Sequence, residues 1–317
     1  MLTRREALGV VAALACGRVA RTKASQPATK VNFAVPAGAC DCHTHIFADP
    51  AHFPMWSGRG YTPETALPAE MAALLEALHM ERVVIVTPSI YGTDNRATLW
   101  GMRARGTNAR GIAVIDEKTP ENELDSMNRA GVRGVRLNLT NAGISDAAVA
   151  RQRLQTAAAR VRRLNWHVQV LTTPAVIAGI RGAVEDAPVP VVFDHFGGAL
   201  AAGGLDQPGF GDLVELVRSG KAYVKISAAY RASKRADYAD VAPLAKALIV
   251  ANADRVVWGS DWPHPDSVSV PGRKPADLAP LLQVDDGRVL NLLPTWAPEA
   301  AVRRKILVEN PARLYGY

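Results

Sequence analysis

Asp41-Cys42-His43-Thr44-His45 places three side chains able to bind a metal or carry a proton within five residues. Side chains alternate along a β-strand, so Asp41, His43 and His45 share one face. The stretch Val256-Val257-Trp258-Gly259-Ser260-Asp261-Trp262-Pro263-His264-Pro265 is the natural counterpart, because there an apolar strand runs straight into the carboxylate of Asp261. His195 closes a third apolar run, Val189 to Phe193 followed by Asp194. Imidazoles with a carboxylate suit a divalent cation such as zinc, which lowers the pKa of its bound water to about 7. They equally suit metal-free hydrolysis, in which imidazoles polarise a carbonyl and the carboxylate takes the proton of water.

These groups lie far apart in sequence, so a scaffold must bring them together. From residue 39 onward, short apolar runs alternate with longer amphipathic ones. The runs are 39–47, 82–89, 110–116, 132–139, 167–173, 189–195, 222–227 and 255–261. Several are β-branched and nearly continuous, as parallel strands covered on both faces require. Helices are predicted over 68–80, with Met71, Leu74, Leu75 and Leu78 at helical spacing, over 145–164 behind the capping pair Ser145-Asp146, and over 238–253 and 298–308. Eight strands, each followed by a helix or long loop, predict a single-domain α/β fold, a distorted (β/α)8 TIM barrel spanning 39–317. A doubly wound open sheet is disfavoured because no Gly-x-Gly-x-x-Gly follows any strand. The Pro-rich segment 265–297 reads as loop, long enough to serve as a lid or partner surface.

In such a barrel, chemistry sits at the C-terminal ends of the strands. His43 and His45 end the first strand, Ser89 the second, Arg136 and Asn138 the fourth, His195 the sixth and Asp261 the eighth. His43, His45, His195 and Asp261 are therefore the expected catalytic set, and the metal ligands if a metal is bound. Arg136 is the expected substrate contact, because a guanidinium matches a carboxylate in bidentate fashion. Tyr230-Arg231, after the seventh strand, offers a further donor and cation or forms a solvated loop. Lys225 either reaches the site or ties neighbouring strands. His264 either lines the pocket or stays a turn histidine. His167 starts the fifth strand, at the wrong end of the barrel. Asp194 is expected to face away from His195 and to be structural.

Composition narrows the remaining choices. The chain has 317 residues, 48% hydrophobic, and a net charge of +7. The first 24 residues carry five basic side chains and one acidic one, leaving +3 for the rest. Without a basic stripe interleaved with aromatics, nucleic-acid binding is not expected. Arg4-Arg5 before the apolar run Leu8–Cys16 predicts a twin-arginine-type signal peptide over 1–24, hence a periplasmic or exported protein. The run is too short to serve as a stable membrane anchor. Residues 25–38 are polar, rich in Pro and Ala, and read as a linker. Cys40 and Cys42 flank Asp41 on one strand, where a bridge would distort the backbone, so they are expected to pack as small hydrophobes.

The motifs Asp41-Cys42-His43-Thr44-His45-Ile46-Phe47, Gly60-Tyr61-Thr62-Pro63, Gly134-Val135-Arg136-Leu137-Asn138, Phe193-Asp194-His195, Gly259-Ser260-Asp261-Trp262-Pro263-His264 and Glu309-Asn310-Pro311-Ala312-Arg313-Leu314-Tyr315 resemble the amidohydrolase-2 branch of the amidohydrolase superfamily. They occur in the same order over nearly everything after residue 39. The resemblance is strongest to pyrone-dicarboxylate hydrolases and related lactonases. It implies a distorted TIM barrel that hydrolyses a small, often anionic lactone. Asp261 would be the general base, His43, His45 and His195 would polarise the carbonyl or hold a metal, and Tyr61, Ser89 and Arg136 would contact substrate. Members of the branch work without metal or with zinc or manganese. Strand four ends in Arg136 and Asn138, so the bridging lysine of binuclear relatives has no match. Ala142 stands where the pyrone-dicarboxylate hydrolases carry a second arginine, and Tyr230-Arg231-Ala232-Ser233-Lys234 resembles sugar-acid lactone isomerases of the branch.

Lactone hydrolysis is thus the leading expectation, with a small molecule as partner and homo-oligomerisation compatible. A lactone isomerase and a decarboxylase on the same barrel are the alternatives. A barrel that only binds is disfavoured by the complete His43/His45/His195/Asp261 set.

Overall fold

A computed structural model of the chain describes residues 24–267 and 271–317. Eight parallel strands follow one another around a single sheet: β1 Cys40–Thr44, β2 Arg82–Val86, β3 Ala109–Ala113, β4 Val132–Asn138, β5 His167–Leu171, β6 Val191–Phe193, β7 Ala222–Ser227 and β8 Val256–Gly259. Seven of the eight runs expected from the sequence contain one of them, and the run 110–116 overlaps Ala109–Ala113, which starts one residue earlier. The seam between β8 and β1 is closed by Asp261 N donating to His43 O (2.9 Å) and His45 N donating to Trp262 O (2.8 Å). At the seam a Cβ on Gly259 would lie 2.8 Å from His43 Cβ, so only glycine lets the two strands approach.

The intervening helices, among them α1 Pro68–Ala77, α2 Arg96–Arg105, α3 Glu121–Arg129, α4 Ala147–Val161, α5 Pro174–Glu185, α6 Phe210–Arg218 and α7 Ala242–Asn252, cover the outside of the barrel. Met71, Leu74, Leu75 and Leu78 are all buried, as their spacing requires. Asp146 caps α4 by accepting from Ala148 N and Val149 N. Strand residues such as Val83, Ile85, Val168 and Val170 are fully buried. Each such side chain contributes roughly 1.5–3 kcal/mol.

Two segments differ from expectation. Residues 265–297 are not plain loop: Leu278–Ala279 pairs in parallel with Thr62–Pro63, and helices form over Asp286–Leu290 and Leu293–Trp296. Residues 25–38 have neither helix nor strand, yet they do not hang free. Thr29 donates through its backbone and hydroxyl to Asp285, Asn32 N donates to Asn291 Oδ1, and Ser25 is buried against the loop that follows β8. The signal-peptide segment lies outside the described residues except for Ala24, which is buried. No helix among the described residues is long and apolar enough to cross a membrane.

Candidate active site

Three strand ends turn through left-handed, non-glycine residues: His195 at φ 50°, Ala228 at 54° and Asp261 at 67°. Such conformations are unfavourable for side chains with a Cβ and persist where surrounding contacts over-determine them. They aim His195 and Asp261 inward at the C-terminal mouth of the barrel.

Asp261 is the hub. Its Oδ1 lies 3.5 Å from His43 Nε2, 3.5 Å from His45 Nε2 and 3.6 Å from His195 Nε2. Its Oδ2 accepts from the Tyr230 hydroxyl (2.6 Å) and from Arg231 Nε (2.8 Å). Burial works against its charge, but the facing His195, Arg231, His45 and His43 outweigh it and hold the carboxyl well below the usual range. The imidazoles are pushed the other way. Burial lowers His43 and His45, and takes His195 to about 4, so all three are neutral at pH 7.

The far side of each ring is held. His45 Nδ1 lies 2.7 Å from Val86 O, which can only accept, so the proton sits on Nδ1 and Nε2 carries a lone pair. His195 Nδ1 bonds Ser227 Oγ at 2.8 Å. His43 Nδ1 lies 3.2 Å from Asp194 Oδ1 and 3.2 Å from Lys225 Nζ. His43 Nε2 is buried with no hydrogen-bond partner among the described residues. A buried orphan nitrogen beside a carboxylate oxygen is a donor set that a cation completes. His43, His195 and Asp261 each present a ligand atom within 4.8 Å of the others. They fit one divalent cation. His45 faces Asp261 but stands outside that group, so the expected set of four ligands closes to three.

Asp194 corrects the sequence reading. Strand β6 ends at Phe193, and beyond it the alternation of faces no longer applies. The Asp194 carboxylate therefore turns inward. Its Oδ2 accepts from Arg136 Nε (3.0 Å) and Gln169 Nε2 (3.0 Å), and Lys225 Nζ lies 3.5 Å from its Oδ1. Lys225 also donates to Cys42 O (2.9 Å) and Gln169 Oε1 (2.7 Å), so it both ties strands and underlies His43. Asp194 is held well below the usual carboxylate range, because His43, Arg136 and Lys225 together overcome its burial. Asp41 shares β1 with the histidines but serves the seam instead, where its Oδ1 accepts from His43 N and Ser260 N.

A cavity of about 900 Å³ shares Arg136 with this cluster and is lined by Trp56, Tyr61, Ser89, Asn138 and Asn141, among others; His43, His45, His195 and Asp261 are not part of its lining. Arg136 donates through Nε to Asp194 and also lines the cavity, making it both an ion-pair partner and a wall residue. Tyr61 is buried, hydrogen-bonded to Ser89 and raised to about 12 by burial. Ser89 lies in a turn beyond the end of β2 and accepts from Asn141 Nδ2 (3.1 Å).

Three further residues weighed as substrate contacts, His264, Tyr230 and Arg231, already have protein partners. His264 is fully buried, with Nδ1 bonded to Ser25 Oγ and Nε2 to Asp286 Oδ1, both at 3.0 Å, so neither nitrogen is free for a ligand. Arg231 spends its guanidinium on Asp261, Ser267 and Pro265 O. Tyr230 and Arg231 thus face the carboxylate rather than open solvent. His167 sits at the far end of the barrel, edge-on to Tyr315.

The profile of the amidohydrolase family matches residues 40–317. Over 287 residues the chain is 35% identical to 4-sulfomuconolactone hydrolase of Rhizobium radiobacter, spanning 90% of this chain and 92% of that protein. It is 33% identical over 297 residues to 2-pyrone-4,6-dicarboxylate hydrolase of Comamonas testosteroni, spanning 90% and 93%. Among solved structures, an apo structure of an Agrobacterium tumefaciens protein aligns with a TM-score of 0.75 at 26% identity, covering 90% of this chain and 98% of that one. With the barrel, its strand-end histidines and aspartate, and the family match over nearly the whole described chain, this protein belongs to the amidohydrolase family.

Proposed function

We propose that this enzyme hydrolyses a small anionic lactone or cyclic ester. The observation that carries the reading is the meeting of Asp261 Oδ1 with three imidazole nitrogens, each 3.5–3.6 Å away. The two relatives named as hydrolases of a sulfomuconolactone and of a pyrone dicarboxylate support it.

Ionised Asp261 removes a proton from water, whose oxygen attacks the lactone carbonyl carbon. His195, whose Nδ1 can accept from the Ser227 hydroxyl and so keep a proton on Nε2, stabilises the developing oxyanion or, with His43, holds a cation, while His45, with a lone pair on Nε2, acts only as an acceptor. The bond from carbonyl carbon to ring oxygen then breaks, and the ring oxygen takes the proton from Asp261. Tyr230 and Arg231 hold Oδ2, so the other oxygen, Oδ1, is presented for the transfer. Arg136 binds a carboxylate of the substrate through the part of its guanidinium that Asp194 leaves free. Tyr61 and Ser89 contact the ring from the cavity wall. A divalent ion such as zinc or manganese, held by His43, His195 and Asp261, would supply Lewis-acid polarisation and a more acidic water.

Turnover of a lactone panel in ¹⁸O-labelled water tests the reaction. Hydrolysis adds one labelled oxygen. Rearrangement at constant mass would replace the reading by lactone isomerisation, and loss of carbon dioxide by decarboxylation. We also infer export, on the strength of Arg4-Arg5 before the apolar run Leu8–Cys16. N-terminal sequencing of the protein from a periplasmic fraction tests this, and recovery with Met1 from the cytoplasm would reject it.

A further inference from the structure

The segment before the barrel reaches the loop that carries Asp261. Ser25 O accepts from Trp262 Nε1 at 3.0 Å, and the Ser25 hydroxyl lies 3.0 Å from His264 Nδ1. His264 Nε2 donates to Asp286 Oδ1 at 3.0 Å, so Nδ1 is left to accept the Ser25 proton. On its other side the His264 ring stands edge-on to Tyr230, with centroids 5.2 Å apart and planes at 86°. Tyr230 in turn donates to Asp261 Oδ2. Ser25, Trp262 and His264 are all nearly or fully buried.

Farther along, the same segment grips the helix that carries Asp286. Thr29 Oγ1 donates to Asp285 Oδ2 at 2.6 Å, and Asn291 Nδ2 donates to Lys30 O at 2.9 Å. The approach is close enough that a Cβ on Gly287 would fall 1.8 Å from Thr29 O. The loop held in this way is a demanding one, with Asp261 at φ 67° and His264 at φ 61°, neither a glycine. Conformations of this kind hold only when neighbours fix them from several sides. β8 supplies one side through the seam bonds, and the N-terminal segment supplies another.

We infer that residues 25–32 are a strap that positions the Asp261 carboxylate, with Ser25 as its positioning residue acting through His264 and Tyr230. The inference rests on the reading of Asp261 as the general base. Ser25 touches no reacting atom. It fixes the imidazole against which the Tyr230 ring packs, and thereby the direction from which Tyr230 holds Oδ2. The segment expected to be a linker is, on this view, part of the active site's framework.

Steady-state kinetics on the full chain, with a lactone that the wild type turns over, test the strap. Ser25→Ala should lower kcat about fivefold, the scale of one lost buried hydrogen bond, with KM changed less than about twofold. Ser25→Thr, which keeps the hydroxyl, should restore most of the rate. Thermal unfolding of both variants should stay within about 4 °C of wild type. Thr29→Val, at the less buried end, should lower kcat in the same direction without threatening the fold. Wild-type kcat in both Ser25→Ala and Thr29→Val overturns the strap. So does a loss confined to thermal stability, or one confined to KM. Asp261→Asn separates this from the larger reading: if that variant keeps its rate, the base assignment fails, whereas if it is dead and the strap variants are unaffected, only the strap fails.

Discussion

The Tyr230 hydroxyl lies 2.6 Å from Asp261 Oδ2, while Asp261 Oδ1 faces three imidazole nitrogens. The two oxygens of one carboxylate are thereby given separate work. One is fixed by the phenol and by Arg231, and the other is turned to the reacting centre. The buried carboxylate stays ionised because the Tyr230 hydroxyl and the Arg231 guanidinium at Oδ2 offset the loss of water.

Asp261→Asn keeps the shape of the side chain and removes its basicity. Turnover should fall by at least ~100-fold, the usual scale for an acid–base group. Circular dichroism should show an intact barrel. Near-normal turnover would remove Asp261 from the mechanism.

Arg136→Met should raise KM for lactones bearing a carboxylate more than for neutral lactones of the same ring size. A lost charged hydrogen bond of about 1.5–3 kcal/mol corresponds to roughly 10–100-fold. The comparison of the two substrate classes is the measurement, and equal effects on both would reject carboxylate binding.

Asp194 balances Arg136 and Lys225 in the barrel interior. Asp194→Asn leaves two buried cations short of their counter-charge and should destabilise the fold by about 3 kcal/mol. Denaturant unfolding measures this. The double variant Asp194→Asn with Lys225→Met should recover part of the loss, because the second change removes one of the stranded charges.

His167 makes the stability depend on acid. Burial, helped by Lys225, lowers its pKa from 6.5 to about 3. A depressed folded-state value means the contribution is complete above pH 6.5 and is lost as pH falls toward about 3. Over that window the loss should approach about 4 kcal/mol, an upper figure. His167→Leu should flatten this acid limb in unfolding experiments run from about pH 7 to about pH 4, and an unchanged limb would assign it elsewhere.

His43, His195 and Asp261 should bind at most one divalent ion per chain. Elemental analysis of the purified protein checks the stoichiometry. If an ion is present, a chelator should abolish activity, zinc or manganese should restore it, and His43→Ala should lose the ion. Two ions per chain would contradict the three-ligand set.

The barrel was legible because its strands are short apolar runs at regular intervals, and because the helix at 68–77 carries its buried residues at helical spacing. His43, His45, His195 and Asp261 were legible by position, since a parallel barrel brings strand ends to one mouth. Asp194 was misread because alternation stops where a strand stops, and β6 is only three residues long. His264 and Arg231 look like available ligands in sequence. Their nitrogens are taken by Ser25, Asp286, Asp261, Ser267 and Pro265, partners that only the folded chain brings beside them.

Sequence alone determined the periodicity, and through it the barrel and the identity of the groups at its mouth. Tertiary structure alone decided which of those groups remain free for chemistry. Periodicity is a local property of consecutive residues. Whether a donor is spent depends on which remote side chain arrives beside it, as Ser25 arrives beside His264 across 239 positions.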